Sequence, residues 1–185
     1  LESTFNDLFV HGLNERKGVY HLLDAFDRVR AQFDDVSLVV VGENSLDEAY
    51  YRERVANNPD VHHVEYIPEI EHLYHLSDAF VLPSIASTRW EEQFGRAILE
   101  AMACGLPTVV TNVGAPPLVV DEGRTSLVVE PRSTDELADA MTELYEDDEL
   151  ARRFGENAYE YVRERYAPNV VGDVLYEFYR SHLVD

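Results

Sequence analysis

Residues 91–107 read EEQFGRAILEAMACGLP and run straight into the apolar residues Thr108-Val109-Val110. The order is that of a loop, a helix and a strand. Phe94, Ala97, Ile98, Ala101 and Met102 recur at i, i+3, i+4, i+7 and i+8, which predicts a helix over 94–104 with one buried stripe. Gly105-Leu106-Pro107 breaks it, and a buried strand over 107–111 follows. Two glutamates, Glu92 and Glu100, have seven residues between them. Gly95 lacks a Cβ, so a ligand can come close to the backbone at the helix start. Free N–H groups and the helix dipole favour an anion there by about 0.3–1 kcal/mol. Glu100 falls one to two turns in and can face the same cleft. An ionised carboxylate accepts two hydroxyl hydrogen bonds at once, which suits the cis-diol of a ribose. The plainer reading makes both glutamates surface charges on a solvated helix. The sequence glutamate, Phe-Gly, glutamate, Gly-x-Pro and strand argues against it.

Outward from this segment, short apolar runs alternate with helical patterns. Strands are expected at 8–11, 36–41, 61–66, 78–82, 107–111 and 127–130, and helices at 19–33, 47–57, 70–76 and 94–104. Residues 112–126 read as loop, with Gly114, Pro116, Pro117 and Gly123. Three helices near 134–146, 149–165 and 169–182 close the chain. Continuous apolar strands alternating with helices predict an α/β fold: a single Rossmann-like, doubly wound parallel sheet with extra C-terminal helices. Ligands in such sheets bind outside the C-terminal ends of the strands. The turns at 12–18, 42–46, 67–69, 83–95 and 111–117 therefore matter most.

The 185 residues, 45% of them hydrophobic, are enough for one core and one domain. No apolar run is long enough to span a membrane. The net charge of −21, from 36 acidic and 15 basic residues, opposes binding to nucleic acid and to anionic membranes. Fourteen of the basic residues are Arg; Lys17 is the single Lys. Heavy Asp and Glu usage with almost no Lys looks like a protein from a salt-loving organism. At molar salt the Debye length is about 3 Å, so an anion site there must work by direct contact. The lone Cys104 excludes an internal disulfide and fits a reducing compartment.

The first turn reads His11-Gly12-Leu13-Asn14-Glu15-Arg16-Lys17-Gly18. Lys17 and Gly18 stand at a helix start, where an ammonium and free N–H groups jointly suit a phosphate, with Arg16 as a helper. The seven histidines include His62-His63 and the pair His72 and His75. No further ligand completes a metal motif around them. There is no Asp-x-Asp triplet and no Gly-x-Gly-x-x-Gly fingerprint. The turn Gly42-Glu43-Asn44-Ser45 is not a dinucleotide site.

These residues carry a resemblance. The Lys17-Gly18 turn, the segment Ser77 to Ser84, the run Glu92 to Pro107, and Val113-Gly114-Ala115-Pro116-Pro117 with Asp121-Glu122-Gly123 look like the C-terminal, donor-binding domain of the group 1 retaining glycosyltransferases, which have the two-domain GT-B architecture. The resemblance runs over nearly the whole chain. It implies that residues 1–185 form a nucleotide-sugar binding domain, one half of a GT-B fold, and that an N-terminal acceptor domain is absent. It implies transfer of a hexose from a UDP-, GDP- or ADP-sugar with retention, no cofactor and no metal. Lys17 would neutralise the leaving diphosphate, and Glu92 would contact hydroxyls of the transferred sugar. Phe94, Gly95 and Arg96, with Arg16 and Gly18, would lie by the pyrophosphate. Glu100 would bind the ribose, and the nucleobase would rest against the turn at Tyr66-Ile67-Pro68, with Ile67 contributing backbone groups. The acceptor, a sugar, a lipid-linked or another molecule, would be held by the missing domain. The expected location is cytoplasmic, open to peripheral contact with the inner membrane face through that domain.

Four positions depart from the pattern. Gly12 stands where the family often has Arg, Leu118 where it has Glu, Ser126 where it has Gly, and Pro68 where Gly is common. Two other readings stay open: a binding module without catalysis, and a related GT-B sugar-nucleotide epimerase.

Overall fold

The computed structural model describes residues 4–43, 48–87 and 90–183. Six strands form one parallel sheet: β1 (Phe5–Val10), β2 (Val36–Val41), β3 (Val61–Val64), β4 (Ala79–Leu82), β5 (Thr108–Thr111) and β6 (Ser126–Val129). Their order across the sheet is β3-β2-β1-β4-β5-β6. The winding reverses between β1 and β4, and this switch point is where a doubly wound sheet opens a crevice. The helices are α1 (Val19–Arg30), α2 (Glu48–Ala56), α3 (Glu71–Leu76), α4 (Arg96–Ala103), α5 (Pro116–Val119), α6 (Thr134–Glu146), α7 (Asp148–Arg165) and α8 (Pro168–Leu183). The sheet, all parallel, agrees with the expected class. Among the described residues no helix is long and apolar enough to cross a membrane.

The core follows from the apolar runs. Every residue of β2, β4 and β5 is buried. From α1, Leu22, Leu23, Phe26 and Val29 pack inward, as their spacing predicts. Ser133 caps α6 by accepting the Glu136 N–H, and Asp147 caps α7 by accepting the Leu150 N–H. By contrast α8 leaves Val174, Leu175, Phe178 and Tyr179 exposed.

Three of the differences from the sequence reading have physical reasons. Strand β1 begins at Phe5, three residues before the expected start, because partners far along the chain hold its polar Asn6. The Asn6 N–H donates to Asp78 Oδ2 at 2.8 Å, and the Ser37 hydroxyl donates to Asn6 Oδ1 at 2.6 Å. Helix α4 begins at Arg96, not at 94. Gly95 adopts a left-handed conformation, φ 73°, and turns the chain before the first helical residue. Phe94 therefore falls off the buried stripe and stays 43% exposed, whereas Ala97, Ile98, Ala101 and Met102 are buried. A short helix, α5, occupies part of the stretch expected to be loop, with Pro116 and Pro117 in its first turn. The expected start of a helix at residue 47, and residues 44–46 of the second turn, lie outside the described residues.

Candidate functional site

Glu92 is the point on which three turns converge, each following a different strand. Its side chain accepts from Lys17 Nζ, which follows β1, in a buried ion pair. The Ser84 hydroxyl, just past β4, donates to the same Oε2 at 3.0 Å. Beyond β5, the Ala115 N–H donates to the Glu92 carbonyl at 2.8 Å. Gly114, φ 67°, makes that last contact possible, since a Cβ there would lie 2.2 Å from the Glu92 carbonyl oxygen. Ser84 is anchored in turn, its own carbonyl accepting from Thr111 Oγ1 at 2.6 Å. Backbone and side chain of Glu92 are thus both fixed.

The two charges respond differently to burial. For Glu92, burial pushes the carboxyl up, but the hydrogen bond and charge of Lys17, with Ser84, outweigh it and hold the group below its ordinary value. For Lys17, burial is the largest influence and draws the ammonium below its ordinary value, against the pull of Glu92. The result is an ionised carboxylate locked to a lysine that pays for its burial.

A cavity of about 720 Å³ opens beside the pair, at the C-terminal ends of the strands. Lys17, Glu92, Arg16, Phe94, Arg96 and Glu100 all line it. The left-handed Gly95 brings the first turn of α4, at Arg96 and Ala97, to the same wall. Glu100 is exposed to the cavity and accepts the Tyr74 hydroxyl at 3.0 Å. Burial first, and then Glu100, push the Tyr74 phenol up, so it remains a donor. The arrangement offers cations and a helix N-terminus for an anion, and the exposed Glu100 carboxylate for hydroxyls. Among the described residues no three His, Cys, Asp or Glu side chains converge to hold a metal ion.

Two of the expected residues do not line this cavity. Ile67 is half-buried against the hydrophobic core and does not line the cavity. Gly18 faces protein: a Cβ on it would sit 1.8 Å from the Pro83 carbonyl oxygen, so its freedom serves the packing of the first turn against the end of β4. Four residues were missed. Ser84 and Tyr74 hold Glu92 and Glu100, His11 lines the cavity, and Trp90 lies under both first-turn cations. The Arg16 guanidinium carbon is 4.8 Å and Lys17 Nζ 5.0 Å from its ring centroid. A lone Trp two residues before Glu92 was the available signal. Of the departures, Ser126 is absorbed by a hydroxyl pair with Thr108 at 2.5 Å, while Gly12 and Leu118 are exposed.

Residues 6–161 match the model of the glycosyl transferases group 1 family. The chain is 28% identical to the capsular polysaccharide biosynthesis glycosyltransferase CapM of Staphylococcus aureus, over 96% of this chain and 47% of that protein. It is 32% identical to the alpha-D-kanosaminyltransferase of Streptomyces kanamyceticus, over 94% of this chain and 45% of that one. It spans about half the length of these relatives. In fold it is similar to the C-terminal domain of a group 1 family glycosyl transferase, LpcC, from Francisella tularensis, with TM-score 0.79 and 24% identity, covering 89% of this chain and 87% of that one. It is also similar to Anabaena Alr3699/HepE in complex with UDP and glucose, with TM-score 0.85 and 24% identity, covering 98% of this chain and 49% of that one. With its six-stranded parallel sheet and its switch-point cavity, the chain belongs to the group 1 glycosyltransferase family and has the fold of that family's C-terminal GT-B domain.

Proposed function

We propose that this chain is the donor-binding domain of a glycosyltransferase that moves a hexose from a nucleotide-diphospho-sugar to an acceptor, with retention of configuration and without a metal ion. The observation that carries the reading is the buried Lys17–Glu92 pair on the wall of a cavity that also holds the α4 N-terminus and Glu100. The ribose diol bonds Glu100, and the diphosphate lies against the first turn of α4 with Arg96 and Arg16 beside it. Glu92 turns a lone pair to a sugar hydroxyl. When the bond from sugar C1 to phosphate oxygen breaks, the electron pair stays on the diphosphate. Lys17 and the helix N-terminus stabilise that charge where it develops. The acceptor hydroxyl attacks C1 from the same face and passes its proton to the departing phosphate, so no protein nucleophile is needed. A further domain supplies the acceptor site.

Calorimetric titration of the chain with UDP, GDP and ADP, with and without EDTA, tests the reading. Binding of at least one, unchanged by EDTA, is expected. If none binds at millimolar concentration, the reading fails; if EDTA abolishes binding, its metal-free part fails.

A further inference from the structure

His11 directly follows β1 and sits half-buried on the wall of the same cavity. Its Nδ1 accepts the Gly12 backbone N–H at 2.9 Å. A ring nitrogen that accepts carries no proton, so the tautomer is fixed and Nε2 bears the hydrogen. The charged groups facing the ring are Lys17, Arg16 and Arg96 on one side of the balance and Glu92 on the other. Burial, then Lys17, draws the imidazole down to about 4, against Glu92. At neutral pH the ring is therefore an uncharged donor with one oriented hydrogen, set among three cations. The residue after it, Gly12, contributes no side chain, and among the described residues no atom beyond its two chain neighbours lies within 4 Å of where its Cβ would be.

We propose that His11 is a diphosphate-binding residue, its Nε2–H donating to a phosphate oxygen of the nucleotide held beside Lys17. The proposal rests on the donor-binding reading above. Three surrounding cations make an anionic oxygen the fitting acceptor, more than a sugar or ribose hydroxyl. A fourth cation here would add repulsion, whereas a neutral N–H adds a directed hydrogen bond without it. No proton is transferred. The imidazole keeps its hydrogen as the diphosphate gains charge, and the hydrogen bond strengthens in that state.

The experiment uses whichever of UDP, GDP and ADP binds best, together with its nucleoside. Affinities of both are measured at pH 7 for the wild type, His11→Ala and His11→Gln, and the imidazole 15N resonances of His11 are followed in the wild type. His11→Ala is expected to weaken the diphosphate about tenfold, the size of one net hydrogen bond to a charged group, and to leave the nucleoside unchanged. His11→Gln, with an amide N–H, recovers part of the loss. The Nε2 resonance moves on adding the diphosphate and stays put on adding the nucleoside. Equal losses for diphosphate and nucleoside, or an unmoved Nε2 resonance at saturation, would overturn the role of His11 while leaving the donor reading intact. A wild type that binds none of the three diphosphates overturns both.

Discussion

Glu92 and Asp7 are both carboxyl groups withdrawn from water, with exposures of 7% and 1%, yet they are held in opposite ways. Glu92 stands over the C-terminal edge of the sheet with Lys17 and Ser84 on one oxygen, and its carboxyl is held below the ordinary value. Asp7 lies inside β1, and its Oδ1 has no hydrogen-bond partner among the described residues. Burial, then the nearby Asp78, push its carboxyl well above the ordinary value. The difference teaches where ionisation is built in. At the ligand edge the fold spends a lysine to keep a carboxylate charged. Inside the strand it buries an acid whose ionisation burial and Asp78 both oppose. Only the first arrangement supplies groups that a polar ligand can engage.

The strongest way to break this contrast is to make Glu92 resemble Asp7. Lys17→Met leaves Glu92 buried and unpaired, and should destabilise the chain by about 3–5 kcal/mol in urea unfolding at pH 7. The double variant Lys17→Met/Glu92→Gln should regain much of that loss. Equal instability of single and double variants would show that the pair is not what is being broken. A smaller effect is expected at Glu100, a carboxylate that is exposed and ready for a ligand. Glu100→Gln retains an oxygen for the Tyr74 hydroxyl, so unfolding should change little. Nucleotide affinity should fall by about 1–3 kcal/mol with the lost charge-assisted bond. Unchanged affinity would remove Glu100 from the ribose.

The smallest effect is at Asp7. Its raised value means the folded chain holds this proton more tightly than the unfolded chain. The stabilising contribution is present below the ordinary value of 3.8 and is lost as pH rises through the folded value. At pH 7 the buried acid is therefore a net cost. Asp7→Val, with a side chain suited to a central strand, should raise stability by about 1 kcal/mol at pH 7 and by less at pH 4. A gain of equal size at both values would mean that ionisation of Asp7 is not its source.

These two carboxyls also mark how far the sequence could be read. Apolar runs and helical spacing gave the strand-helix alternation, because they record local burial; β2 over 36–41 and α6 over 134–146 fall at the expected bounds. Asn6 and Asp7 concealed the start of β1: Asn6 is held by Ser37 and Asp78, both distant in sequence, and Asp7 is buried at a cost that no local pattern records. Phe94 kept the helical period, but period does not register the left-handed turn at Gly95 that puts it outside the helix. In the site, Lys17, Glu92 and Glu100 stood out as polar residues at turns and on a helix. That Lys17 and Glu92 neutralise each other across 75 residues was invisible, because the contact exists only once β1 and β4 are neighbours. Ile67 was read for its backbone at a turn, and the core contact of its side chain is a second fact that the turn pattern does not register.

Trp90 is the only tryptophan in the chain, and its indole rests against the two cations that an incoming diphosphate would engage. Indole emission responds to the electric field and polarity around the ring. The chain's tryptophan fluorescence therefore originates at the rim of the cavity and nowhere else. Any anion that draws Arg16 or Lys17 off the ring changes its colour and intensity. The molecule carries an optical reporter of its own site, and occupancy can be followed in solution without a label.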